Sequence, residues 1–585
     1  MCGIFAYIGN KHKIQFIKEQ FKLGKSRGPE SSKFLNILYN INFGFHRLAI
    51  NGLDDISNQP FEISGIYLIC NGEIYNYRSL YEKMKITGST NSDCEVIVHM
   101  YLRYGIEYLL DSLDGVFGFI LYDSNINKVF VARDPYGVRP LYYINQHDVV
   151  AFASELKQLN NFNVNTSFRL GTNTGYFEDI EFTVKQFPPG TYMEIELLNN
   201  NTSENNIPFR VEDTNILKII YNSLFNEKII LNTNTKKYSS FGFGNISVFD
   251  PKGNTSFRVK DTNINLDDSD NYYSNIYKYL YEAVKKRVVG TTERPIACLL
   301  SGGLDSSTIT AMVNSFLPKG VLETYSIGLP NSTDLIYARK VAQHLGTKHT
   351  EIILTEDEFF DAIPEVIKAI ESYDTTTVRA SVGNYLIGKY IRKNSQAKVI
   401  FNGDGADELM GGYRYFKLTK DPLEFDKECK RLLSDIYLFD VLRSDKSISS
   451  NGLEPRTPFL DRSFVQYYLS IPPEIRCHSI NGFCEKYLLR KSIEIENSSL
   501  LPTEVLWRTK EAFSDGVSGV DRSWYEIIHE KLMGNNSLSE KPGIELEREY
   551  YLRIFKEYFP NNCDILPYFW MPKYISVNDP SARLI

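Results

Sequence analysis

The sequence predicts two α/β domains separated by a compositionally distinct stretch, the second domain built on a doubly wound parallel sheet. Three observations predict this. Apolar runs at 66–70, 118–122 and 129–132 read as strands and 94–108 as a helix, so the first 190 residues are mixed α/β. From Tyr272 onward strand and helix patterns alternate, the order that gives a parallel sheet with helices on both faces. Between them, 196–270 is rich in Asn, Ser and Thr and has few periodic apolar stretches. The division reads as 2–195, an inter-domain segment 196–270, and 271–585.

The bulk properties narrow the function. A chain of 585 residues can bury a sizeable core. Net charge is −7, pI is near 5.8, and no long basic stretch occurs, which argues against a nucleic-acid partner. The eight cysteines form no CxxC pair, so neither a zinc ribbon nor a disulfide framework is expected. No apolar run approaches a membrane span, and no signal-peptide pattern opens the chain. A cytoplasmic protein without membrane partners is the expectation, and a homodimer is left open.

The N-terminal region opens Met1-Cys2-Gly3-Ile4-Phe5. Loss of Met1 would give Cys2 a free α-amine, which titrates near neutrality and can act as base for the thiol. Then come Arg-Gly-Pro-Glu at 27–30, His-Arg-Leu-Ala-Ile at 46–50, Asn-Gly-Glu-Ile-Tyr-Asn at 71–76, Ser-Asp-Cys-Glu at 92–95 and Arg-Asp-Pro-Tyr-Gly-Val-Arg-Pro at 133–140. In this order they resemble the glutaminase domain of class II glutamine amidotransferases. The resemblance implies an N-terminal-nucleophile hydrolase, a layered αββα fold. It further implies Cys2 as nucleophile, with the Asn71 side chain and the Gly72 N–H stabilising the tetrahedral oxyanion. Arg47 would pair with the substrate α-carboxylate, with Leu48, Ala49, Ile50 and Asn51 as backbone contacts beside it. Glu73 and Asp93 would hold the ammonium end.

Between the two catalytic regions one octapeptide nearly recurs, at 209–216 and 257–264. Two copies are too few for a solenoid, and 196–270 reads as an expanded inter-domain segment.

In the second domain the apolar run 296–300 reads as a strand ending at Ser301-Gly302-Gly303, with Asp305 and Ser306 opening a helix. Strand, glycine turn and helix N-terminus make an anion site. No Gly-Lys-Ser/Thr follows, so this is no Walker A loop. The loop resembles the Ser-Gly-Gly-x-Asp-Ser pyrophosphate loop of ATP pyrophosphatases that adenylate a substrate. A second strand at 324–330, a helix at 334–345, and a strand with glycine turn and carboxylates at 399–413 follow, with ligands expected at the strands' carboxyl ends. Asp404, Asp407 and Glu408 lie within five residues, a costly concentration of like charge without a cation.

Together with Arg-Thr-Pro-Phe-Leu-Asp at 456–461, Glu-Lys-Tyr-Leu-Leu-Arg at 485–490 and the segment 507–516, these motifs resemble the glutamine-hydrolysing asparagine synthetase family. The resemblance covers nearly the whole chain except 196–270. It implies glutamine, aspartate and ATP as substrates, Mg²⁺ as cofactor, and a β-aspartyl-AMP intermediate attacked by ammonia. By position, Ser301, Gly302, Gly303 and Ser306 would hold phosphates, and Leu299, Ile327, Asn402 and Gly403 the nucleotide. Asp305 and Asp407 would bind Mg²⁺. Thr376, Arg379, Asp404 and Lys486 would serve aspartate, pyrophosphate or the adenylate. The family usually has Ser at Asn402 and Glu at Asp404. An amidotransferase adenylating another carboxylate is the alternative reading. A β-lactam-forming synthetase conflicts with Cys2, and a degenerate interaction protein conflicts with the intact glutaminase set.

Overall fold

The computed structural model describes residues 1–146, 149–162, 183–197, 269–291, 293–511, 513–519, 522–535 and 542–581, with the short strands 169–171, 177–179 and 222–223. Apart from Asn222–Ser223 and the first turn of the helix Ser269–Val289, the segment 196–270 and its near-repeats lie outside these residues, except Glu196 and Leu197, which close the first domain.

The first domain stacks two six-stranded antiparallel sheets. The strand Gly3–Gly9 shows why. It is buried along its whole length and its side chains alternate between two cores. Ile4, Ala6 and Ile8 face the second sheet, meeting Ile69, Ile120, Val129 and Val131. Phe5 and Tyr7 point the other way, toward Ile17 and Phe21 of the helix Ile14–Lys22. The second sheet's far face, with Leu68, Cys70, Phe119 and Leu121, is covered by the helices Tyr77–Met84 and Val96–Ser112. The layers are therefore helix, sheet, sheet, helix. Each fully buried Ile or Phe in this sandwich contributes on the order of 2 kcal/mol.

The second domain has five parallel strands in the order Lys348–Ile353, Glu323–Gly328, Ile296–Leu299, Val399–Phe401, Glu454–Arg456. Sequence order reverses between Ile296–Leu299 and Val399–Phe401. Their following loops, 300–303 and 402–405, diverge and leave a crevice at the carboxyl ends. Helices clothe both faces, among them Leu304–Asn314, Thr333–Leu345 and Thr375–Asn394. Strand and helix assignments made from apolar periodicity fall within a few residues of these elements. No helix among the described residues is long and apolar enough to cross a membrane.

Candidate active sites

In the first domain the pairing of Gly3 with His46 carries Cys2 to the end of its strand, beside Arg47. Its thiol donates to the Leu48 carbonyl at 3.6 Å. Leu48 and Ile50 turn their side chains into the core shared with the second domain. Met1 is fully buried, its amine donating to the Leu453 carbonyl at 3.3 Å and lying 4.0 Å from Glu454. Burial pushes the Cys2 thiol up to about 11 and the Met1 amine down to about 6.

Asn71 has neither side-chain oxygen nor nitrogen hydrogen-bonded, although it is 1% exposed. A buried amide left without partners is costly unless something arrives to use it. Gly72 follows on the same strand, Ile66–Ile74. Asn51 donates to Glu73 at 2.8 Å, and Asp93 accepts from the Ile74 N–H at 2.7 Å. Burial pushes the Glu73 carboxyl well above the usual range, and the Asp93 carboxyl up to about 6. Arg47 donates to the carbonyls of Gly52 and of Asp54, the latter at 2.7 Å, so part of its fork is spent on the loop beyond it. Ala49 is clamped on both sides: its N–H donates to Glu30 at 2.8 Å, and its carbonyl accepts from Arg294 of the second domain at 2.7 Å.

The second site is the crevice at the strand reversal. Leu299, Ser301, Gly303, Asp305, Ser306, Ile327, Thr376, Asn402, Gly403, Asp404, Asp407 and Lys486 all line one cavity there. The helix that follows the first loop comes so close to the second loop that a Cβ on Gly403 would lie 2.8 Å from Asp305. Lys486 stands at the head of the helix Tyr487–Glu496 with φ 56°, a left-handed backbone that costs a non-glycine residue about 1–2 kcal/mol. Its ammonium lies 2.5 Å from both Asp305 and Asp407. Gly412 makes this reach feasible, since a Cβ there would sit 2.2 Å from the Lys486 side chain. Lys510 supplies a second cation, 2.6 Å from Asp407. The two lysines hold the Asp407 carboxyl well below the usual range, and the neighbouring carboxylates hold Lys510 above its own.

Oxygens remain for ligands. Asp305 Oδ1, Asp404 Oδ2 and Thr376 Oγ1 are buried without a hydrogen-bond partner. Unpaired carboxylate oxygens beside a glycine-rich anion site fit a hard divalent cation carried with phosphates. Asp404 is pinned from behind by Arg443 at 2.9 Å, and Asn402 donates to Ser444 at 2.7 Å.

Two expected residues stand elsewhere. Gly302 forms the turn itself and does not line the cavity. Arg379, expected at the aspartate site, does not line it either. Its guanidinium pairs with Glu547 and with Asp579, the latter at 2.7 Å, on elements from the C-terminal region. Glu547 and Asp579 converge with His529 to within 4.8 Å, but Arg379 already balances their charge. Sequence reasoning gave no role to Lys510, Arg443 or Arg456, although 510 and 456 stand inside quoted motifs. Their site partners Asp407, Asp404 and Glu73 are distant in sequence, and only the fold brings them together.

The comparisons with known proteins follow this geometry. Residues 275–424 and 417–560 match the asparagine synthase family, and residues 1–206 match the glutamine amidotransferase domain. A Gallus gallus protein described as a glutamine-hydrolysing asparagine synthetase is 40% identical over 606 residues, covering 100% of this chain and 98% of that one. Proteins of the same description from Cricetulus griseus and Homo sapiens are 38% and 37% identical, each at 100% and 98% coverage.

Proposed function

This chain belongs to the glutamine-hydrolysing asparagine synthetase family, and from that premise we infer how its own residues divide the work. The enzyme makes asparagine from aspartate, taking nitrogen from glutamine and cleaving ATP to AMP and pyrophosphate. A carboxylate is a poor acyl donor to ammonia because oxide is a poor leaving group. Adenylation replaces it with AMP.

Cys2 attacks the glutamine amide carbonyl. The tetrahedral oxyanion takes hydrogen bonds from the Asn71 side chain and the Gly72 N–H, and ammonia leaves as the thioester forms. Water then hydrolyses the thioester to glutamate, restoring the thiol. The unpartnered, buried Asn71 amide supports this reading. Removal of Met1 frees the Cys2 amine as base. Arg47 holds the α-carboxylate of glutamine, Asp93 and Glu73 hold its ammonium end, and the backbone of Leu48, Ala49, Ile50 and Asn51 lines the rest.

In the crevice, Leu299 and Ile327 flank the adenine, and Ser301, Gly303, Ser306, Asn402 and Gly403 hold the nucleotide. Asp305 and Asp407 would hold Mg²⁺, which supplies charge neutralisation for the departing pyrophosphate. Lys486 and Lys510 carry positive charge to the same spot and favour the same charge build-up. The aspartate β-carboxylate attacks the α-phosphorus, pyrophosphate leaves, and ammonia displaces AMP from the adenylate. Asp404 and Thr376 face the aspartate; Arg379 is left out of this set. Acidic pI, scattered cysteines and the absence of basic runs support a cytoplasmic enzyme with small-molecule partners. The lysine-bridged pair Asp305 and Asp407 at the strand reversal carries the reading. Aspartate-dependent exchange of labelled pyrophosphate into ATP tests it, and a substrate screen that found exchange only with another carboxylate would favour the alternative acceptor.

A further inference from the structure

The helix Asp440–Ser449 belongs to the second domain and touches both active sites. On one side Arg443 holds Asp404 at 2.9 Å, and Ser444 accepts from Asn402 at 2.7 Å. On the other, Asp445 accepts from Arg27 at 2.8 Å and lies 3.4 Å from Arg139, and Ser449 accepts from Arg27 at 2.9 Å. Arg27 continues the line, its Nε donating to the Cys2 carbonyl at 3.0 Å. At about 100° per residue, Arg443 and Asp445 project from nearly opposite sides of one turn. The next residue, Lys446, pairs with Glu371, which accepts the N–H groups of Leu156 at 2.7 Å and Lys157 at 3.0 Å in the first domain. Asp445, Lys446, Ser449, Arg27 and Arg139 are each at most 1% exposed.

Such a cluster cannot slide. Each of these charges is taken out of water and faces an opposite charge, so displacement of one leaves another buried and unpaired. A shift of Asp404 on its ligand is passed through Arg443 to a helix whose other side grips the nucleophile's backbone. The link consists of contiguous hydrogen bonds and one rigid turn.

We propose that the helix Asp440–Ser449 ties the two active sites together, with Asp445 a positioning residue for glutamine hydrolysis that acts through Arg27 on Cys2. This rests on the assignment of Cys2 to glutamine hydrolysis and goes beyond it, since it places a determinant of that step in the adenylating domain.

The experiment measures glutamine hydrolysis by the full chain with and without ATP, Mg²⁺ and aspartate, in wild type, Asp445→Asn and Ser449→Ala. Ammonium-dependent asparagine formation and a thermal melt accompany each. In wild type the added substrates change hydrolysis by about threefold or more. Asp445→Asn lowers kcat for hydrolysis by about tenfold with glutamine KM within about twofold, the pattern of lost positioning rather than lost binding. Its response to ATP and aspartate falls to about one, while ammonium-dependent synthesis persists. Ser449→Ala, which removes a neutral partner only, shows the same pattern at smaller size and serves if Asp445→Asn does not fold. A wild-type rate indifferent to ATP and aspartate overturns the proposal, as do folded variants that respond like wild type. Wild type unable to hydrolyse glutamine would instead overturn the assignment of Cys2.

Discussion

Lys486 places its ammonium 2.5 Å from Asp305, joining the first strand's loop to a helix 181 residues further along the chain. The same nitrogen reaches Asp407, so with Lys510 it places positive charge between two carboxylates that would otherwise face each other. Lys486→Met removes it while keeping most of the volume. Aspartate-dependent pyrophosphate exchange should fall by about 10²-fold or more, the usual scale for one preorganised charge, while glutamine hydrolysis without ATP persists. Exchange at the wild-type rate would remove Lys486 from the chemistry.

Asp404 is one methylene shorter than the Glu usual in the family, and Arg443 pins one of its oxygens while leaving the other unpartnered. The prediction is that the turn around Gly403 and Gly405 compensates for the shorter side chain. Asp404→Ala should lose exchange, and Asp404→Glu should not exceed wild type. An Asp404→Glu variant much faster than wild type would contradict compensation.

Asp93 trades stability for function. Burial pushes its carboxyl up to about 6, so the folded state binds this proton more tightly than the unfolded chain. A raised carboxyl favours folding at low pH, and that contribution is lost as the pH rises through about 6. Asp93→Asn, which keeps an acceptor for the Ile74 N–H, should stabilise the protein by about 2–3 kcal/mol at neutral pH and by little below about pH 4. The same variant should raise the glutamine KM about tenfold or more, as expected for a lost charge-assisted contact. Thermal melts across pH and steady-state kinetics check both parts. Unchanged melting at pH 7 would show that the carboxyl carries no such penalty.

Much of this was legible in the sequence because the signals are local. The strand 296–299, its glycine turn and the helix behind it follow from one contiguous stretch, and so do the carboxylates after the strand 399–401. The division of the Gly3–Gly9 side chains between two cores could not be read from its composition, which is apolar on both faces. The cations were the hardest to see. Lys510, Arg443 and Arg456 are ordinary basic residues until a turn or strand brings them to Asp407, Asp404 and Glu73. Arg379 stands inside a quoted motif, but its partners Glu547 and Asp579 come from C-terminal elements that only the fold brings to it.

Arg379 is accordingly expected to hold the fold. Its side chain is buried, and burial is outweighed by the two carboxylates that hold it strongly protonated. Arg379→Gln leaves Glu547 and Asp579 partly uncompensated and should cost about 3–5 kcal/mol. Glu547 is held down to about 2, so this contribution is present above the ordinary glutamate value and lost as the pH falls toward 2. A lowered melting temperature with aspartate KM little changed is the expected result. An unchanged melt with aspartate KM raised about tenfold or more would return Arg379 to the substrate site.

The transfer of nitrogen from glutamine, released as ammonia at Cys2, to an adenylated aspartate is tested most directly with amide-¹⁵N glutamine in the presence of unlabelled ammonium, ATP, Mg²⁺ and aspartate, with the products read by mass spectrometry. Wild type should yield asparagine carrying ¹⁵N in its side-chain amide, together with AMP and pyrophosphate, while Cys2→Ala should yield only unlabelled asparagine. Labelled asparagine from Cys2→Ala, or ADP and phosphate in place of AMP and pyrophosphate, would contradict the account.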